Sequence, residues 1–350
     1  MSRVLFALLS VAALGAQAAF LHGLQRAALQ THDYYSYEKM LDYLDGLAHT
    51  YPSRVTLEDW GRTHENRTLR SITITNGYGR RDKKVIFIDA AFHAREWLTP
   101  AAALYAIDQL VVGFELNKEL LQDYDWIVLP LVNPDGYTFS RTIDPRWRKN
   151  RSPNRLGCHG TDLNRNFAVG WGGASTSKNP CSHEKYCGRA AFSEPESRAV
   201  RQIMHHLMAT ERGILYISIH SHGSWILYPW SYAKIAAKNT QEHAEIAQAG
   251  VAAVVNAPFD SSTKYKAKAS HELYPAGGTS TDYAYSIGFP LAYTLELPGR
   301  RGNATFNFHP PRHLISELVQ ETWIGLRAMA EKTIEKCSKS KRKLHHKNIC

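Results

Sequence analysis

Cysteine is scarce in this 350-residue chain: Cys158, Cys181, Cys187, Cys337 and Cys350 are the five, and no two are separated by two or three residues. That excludes a thiolate zinc site of the usual spacing and leaves disulfides in an oxidising compartment, with one thiol left over or paired between chains. The metal-protease helix signature His-Glu-x-x-His is also missing, since His64-Glu65, His183-Glu184 and His271-Glu272 all lack the second histidine. Acid is missing from Lys336 to Cys350, where Lys336, Lys339, Lys341, Arg342, Lys343 and Lys347 supply six of the ten net positive charges. The body is therefore only mildly basic, without the basic stripe expected of a nucleic-acid-binding domain. Long apolar runs are missing after the first, so no later segment is expected to span a bilayer.

That first run is Val4 to Leu14, preceded by Arg3 and followed by Ala16-Gln17-Ala18. A short apolar core, a basic start and a small-x-small site describe a signal peptide over 1–18, and hence a secreted chain. The remaining composition, 44% hydrophobic and 21% charged, is that of a globular protein. A lead segment over 19–34, one domain over 35–335 and a basic tail over 336–350 follow.

Periodicity sketches an α/β order. Ser36 caps a helix carrying Tyr37, Met40, Leu41, Leu44 and Leu47. Val85 to Ile88, Trp126 to Val132, Leu215 to Ile219 and Ala292 to Leu297 read as buried strands. Thr99-Pro100 reads as a helix start, Asn133-Pro134-Asp135-Gly136 as a turn, and Ser193 with Glu196 as a capping box. A last helix carries Leu314, Leu318, Trp323, Leu326 and Met329. Strands alternating with helices predict a single α/β domain, a mixed but mostly parallel twisted sheet with helices on both faces. Arg141 to Lys185, rich in Gly, Asn, Ser and Arg, is too long for a plain connection and is expected to build a site.

His93-Ala94-Arg95-Glu96 follows the first strand, and His220 ends the strand Leu215 to His220. Imidazole nitrogens and a carboxylate can share one metal where chains leave the carboxyl ends of parallel strands. The alternative on pattern alone is a pair of core histidines.

Several segments in order carry a resemblance: DAAFHAREW (Asp89 to Trp97), RWRKNRS (Arg146 to Ser152), DLNRNF (Asp162 to Phe167), SIHSHG (Ser218 to Gly223), Tyr274 and YTLELPG (Tyr293 to Gly299). Together they resemble the zinc metallocarboxypeptidases of the pancreatic carboxypeptidase A/B type, from about Tyr35 to Lys332. The resemblance implies one zinc ion held by His93, Glu96 and His220, with the fourth position left to a water whose pKa falls towards ~7. It implies Glu296 as general base and proton shuttle, and Arg148 as the charge aimed at the tetrahedral oxyanion. Asn164 and Arg165 match the pair that holds the terminal carboxylate, Arg95 a secondary carboxylate-binding arginine, and Tyr274 a mobile tyrosine closing over the substrate. Cys158 and Cys181 match a family disulfide; closing such a loop stabilises by roughly 3 kcal/mol. Cys187 matches a position paired in B-type members, but Gly172 stands at the usual partner position, which leaves Cys187 free or paired with Cys337 or Cys350.

Three departures stand out. The resemblance begins at Tyr35, close behind the cleavage site, so the inhibitory pro-segment of secreted members is not expected here. His222 stands where a cleft-lining tyrosine is usual, and Pro298 where a charged residue is common. Thr281, with Gly278 nearby and Thr294 behind, occupies the base of the side-chain pocket, where B-type members carry an acid. A neutral Thr281 predicts A-type preference for aliphatic or aromatic C-terminal residues, because a buried unpaired cation is costly. The rivals are a B-type enzyme and a catalytically weak secreted binding protein. The partners implied are peptide or protein C-termini. Asn66 and Asn303 are expected glycosylation acceptors, whereas Asn150, two residues past Arg148, is expected bare. The tail is expected to be flexible and either solvated or drawn weakly to acidic glycans.

Overall fold

The computed structural model describes residues 29–154, 156–259, 264–299 and 308–342. In chain order its main elements are α1 (Tyr37–Thr50), β1 (Val55–Arg62), β2 (Thr68–Ile74), β3 (Lys84–Ala90), α2 (Leu98–Val111), β4 (Tyr124–Leu129) and α3 (Pro134–Thr142). They continue with α4 (Pro195–Ala209), β5 (Gly213–Ser221), β6 (Trp225–Tyr228), α5 (Thr240–Val255), β7 (Lys266–Ala269), α6 (Ser280–Ser286), β8 (Leu291–Leu297) and α7 (Arg312–Arg342). The eight strands form one sheet in the order β1-β2-β4-β3-β5-β8-β6-β7.

The four runs read as buried strands are its parallel centre, β4-β3-β5-β8. Being covered on both faces, they need no polar alternation. Ile86, Ile88, Leu215, Ile217 and Tyr293 pack with α1, α2, α5 and α7 on one face. Val85, Phe87, Tyr216 and Ala292 pack with α4 and α6 on the other. The antiparallel hairpin β1–β2 and the short strands β6 and β7 extend the sheet at its margins. His220 and Glu296 are register neighbours on β5 and β8, which brings two chemically active side chains to the same end of adjacent parallel strands.

Several local expectations are corrected. Asn133 does not open a turn: its side chain accepts from the Gly136 N–H and caps α3, with Pro134 at the first helical position. Ser193 and Glu196 form no capping box, because α4 starts at Pro195 and Glu196 is buried against Asn150. α2 begins at Leu98, one residue before Thr99. The expected flexible tail begins as helix: α7 runs through Lys336 to Arg342, and Lys336 pairs with Glu245 at 2.5 Å. The end of the lead segment packs on the body, with Tyr34 buried and its hydroxyl donating to the Pro310 carbonyl. Residues 1–28, the Asn303 acceptor and Cys350 lie outside the described residues. No helix among the described residues is long and apolar enough to cross a membrane.

Candidate metal centre and active site

The chain leaves β3 through Ala91, at φ +59°, and the backbone after it is pinned on several sides. The Ala91 N–H donates to the Thr99 hydroxyl, the Asn133 amide donates to the Phe92 carbonyl, and the Ala94 N–H donates to the Arg148 carbonyl. This places His93 and Glu96 opposite His220, whose ring lies parallel to Phe92. The three ligand atoms lie within 4.8 Å of one another and all three residues are buried. His93 Nδ1 is 2.6 Å from Glu96 Oε1, His220 Nδ1 is 3.1 Å from Glu96 Oε2, and the two Nδ1 atoms are 3.1 Å apart. Two imidazole nitrogens facing each other across one carboxylate cannot all be satisfied by a single shared proton. A dication between them satisfies every one, and the His₂Glu set suits zinc.

The charges respond to this crowding. Burial lowers the His93 pKa, helped by Arg148. Burial also acts against charge on His220, but Glu96 outweighs it and raises the pKa. The Glu96 carboxyl, despite burial, is held far below its ordinary range by both histidines.

The long loop supplies the next layer. Asp162, fully buried, accepts from His93 Nε2 on one oxygen at 3.1 Å and from Arg148 Nε and Nη2 on the other at 3.1 and 3.0 Å. It thereby orients the ring and aims the guanidinium together. Burial opposes the Arg148 charge, but Asp162 and Glu96 more than offset it. Asn164 Nδ2 lies 3.2 Å from His220 Nε2, and its carbonyl oxygen accepts from the Ser280 N–H. Arg165 donates to the carbonyls of Ser175 and Asn164. Cys158 and Cys181 are bonded across this loop. Among the described residues Cys187 is a free, buried thiol and Cys337 is disulfide-bonded.

Glu296 is partly buried, and burial pushes its carboxyl up to about 7, with the Glu96 charge adding to the effect and His220 opposing it. Strand alternation puts Thr294 on the same face of β8, and its hydroxyl lies 2.6 Å from that of the fully buried Thr281. The neighbouring Asp282 carboxylate is occupied by the N–H groups of Ser231 and Tyr232. His222 is exposed, with its ring 4.8 Å from Phe308. Tyr274 is 52% exposed, and no hydrogen bond or ring contact among the described residues links it to the candidate metal ligands. Arg95 is tied to Glu184 at 2.7 Å. Asn150 is wholly buried, whereas Asn66 is exposed.

Asp162 and Glu184 were not singled out by sequence reading. A ligating histidine needs an acceptor for its second nitrogen, and that rule, applied to the acid beside Asn164 and Arg165, is the signal that finds Asp162. Nothing local marks Glu184.

Residues 40–325 match the family described as "Zinc carboxypeptidase". Carboxypeptidase B of Helicoverpa zea is 39% identical over 84% of this chain and 69% of its own length. Carboxypeptidase O of Bos taurus is 34% identical over 88% and 82%. The crystal structure of carboxypeptidase A from Helicoverpa armigera superposes with a TM-score of 0.84 at 34% identity, covering 89% of this chain and 76% of that one. With the donor set in place and the likeness running through nearly all the described residues, this chain belongs to the zinc carboxypeptidase family and is a zinc-dependent metallocarboxypeptidase.

Proposed function

We propose that this protein is a secreted carboxypeptidase that removes neutral aliphatic or aromatic C-terminal residues, with His93, Glu96 and His220 holding the zinc. The observation that carries the preference is the Thr281–Thr294 hydroxyl pair. One hydroxyl donates to the other, so the pocket base is uncharged and offers no countercharge for Lys or Arg. Secretion is supported by the signal-like start, Arg3 to Ala18, and by the Cys158–Cys181 disulfide.

When bound, zinc supplies Lewis-acid polarisation and a water of lowered pKa. Asn164 and Arg165 hold the peptide's terminal carboxylate, a task for which the planar guanidinium fork is suited. Arg148, braced by Asp162, sits ready for the charge that develops on the carbonyl oxygen. Glu296 takes a proton from the attacking water and returns it to the leaving amine. Tyr274 closes over the bound residue.

The test is release from peptides ending in Phe, Leu, Lys and Glu by the zinc-loaded protein. Phe or Leu should exceed Lys by at least about tenfold, the equivalent of ~1.4 kcal/mol, well below the cost of an unpaired buried cation. Faster release of Lys would establish the B-type reading instead.

A further inference from the structure

Arg95 is paired through one of its nitrogens, while its Nε is buried without a hydrogen-bond partner. Its Nη1 donates to Glu184 Oε1 at 2.7 Å and, more weakly, to the Arg146 carbonyl at 3.4 Å, and its Cζ lies 4.3 Å from the centre of the Phe308 ring. The arginine side chain is 13% exposed and that of Glu184 is 49% exposed. The second Glu184 oxygen has no hydrogen-bond partner among the described residues, so the pair presents a carboxylate edge outward. This placement is built. The Cys158–Cys181 disulfide anchors the preceding loop, and Lys149 Nζ donates to the Ser182 carbonyl two residues before Glu184.

Arg95, Glu184, Phe308 and His222 are linked by contact to one another. No hydrogen bond, ion pair or ring contact among the described residues links any of them to Asn164, Arg165 or Thr281. On the reading proposed above, the terminal residue occupies the Asn164–Arg165–Thr281 side and the scissile carbonyl lies between. The chain upstream of that bond then leaves past Glu184.

We propose that Glu184 is a specificity-determining residue of the cleft mouth: it neutralises Arg95 and selects peptides with a basic side chain upstream of the C-terminal residue over those with an acidic one. The inference rests on the function proposed above. A charge on a half-exposed carboxylate acts modestly and is screened by salt, so attraction of Lys and repulsion of Glu together should give about a tenfold ratio at low ionic strength.

The experiment compares kcat/KM for blocked peptides Ala-X-Phe, with X as Lys, Ala or Glu, on the zinc-loaded full chain. Wild type should favour X = Lys over X = Glu about tenfold, carried mainly by KM and shrinking in salt. Glu184→Gln should bring the ratio close to one or invert it, as Arg95 is freed for acidic side chains, and Glu184→Asp should restore most of it. Because each ratio is taken within one preparation, incomplete folding of a variant cancels. Brisk turnover with a flat wild-type ratio, or a ratio unchanged in Glu184→Gln, overturns this proposal alone. Failure to release Phe from any of the three peptides overturns the functional reading beneath it.

Discussion

Glu196 carries a stability cost that one substitution should remove. Its side chain is fully buried; one oxygen accepts from the Asn150 amide at 3.1 Å and the other has no hydrogen-bond partner. The same amide nitrogen serves Glu194 at 2.9 Å, so two buried carboxyls crowd one donor. Burial, then the Glu194 charge, push the Glu196 carboxyl from 4.5 up to about 8. Between those values the folded chain holds a proton that the unfolded chain releases. Stability therefore falls as pH rises, by up to ~1.4 kcal/mol per pH unit, and levels off above about pH 8. The cumulative cost approaches about 3 kcal/mol at pH 7 and about 5 kcal/mol at pH 9, with nothing lost below pH 4. Glu196→Gln keeps shape and hydrogen-bonding capacity and removes the titration. Urea unfolding of the zinc-loaded proteins at pH 5, 7 and 9 should show the variant gaining on wild type at each step. Asp89 and Asp282, raised by burial to about 7 and about 6, act with the same sign but are common to both proteins and cancel in the difference. A stability difference that stays constant from pH 5 to pH 9 would refute the reasoning.

Glu296→Gln should retain zinc and peptide binding while losing several orders of magnitude in kcat, measured by single-turnover release with metal content assayed in parallel; retention of a tenth of wild-type turnover would remove it from the base role. Asp162→Asn should weaken zinc affinity about 10- to 100-fold, read by competition with a chelator, and should lower kcat as well because Arg148 loses its brace. Thr281→Asp supplies a countercharge at the pocket base and should shift the preference for C-terminal Lys over Phe upward by at least about tenfold; an unchanged ratio would mean that the side chain does not reach Thr281.

Legibility in the sequence followed burial. β3, β4, β5 and β8 were readable because strands covered on both faces are unbroken apolar runs, and the sheet's centre followed from them. β1 is largely exposed and β6 and β7 are four residues each, too short to impose a period. The candidate metal ligands were readable because each stands at or beyond a strand end, where topology concentrates chemistry. Glu196 misled because an acid three residues after a serine looks like a cap until Pro195 sets the helix start and Asn150 claims the carboxyl. Glu184 could not be found at all, since its meaning lies in Arg95, 89 residues away.

The buried charges of the site form a balance that explains why Asp162 serves two masters. Three carboxylates, Glu96, Asp162 and Glu296, face two guanidinium groups, Arg148 and Arg165, and the dication that the His₂Glu set is suited to hold. With Glu296 ionised, one positive charge is left over, and a peptide's terminal carboxylate matches it. Binding then completes the neutralisation of a poorly solvated space, while Arg148 stays paired with Asp162. Neutralising Asp162 would leave a second uncompensated positive charge beside the first. Asp162→Asn should therefore hold small anions and product carboxylates more tightly than wild type, at the same time as it binds metal more weakly. Inhibition by free phenylalanine, titrated at fixed zinc saturation, checks the point: a Ki equal to or weaker than that of wild type would show that Asp162 acts only as a mechanical support for His93 and Arg148, with no part in setting the charge of the cleft.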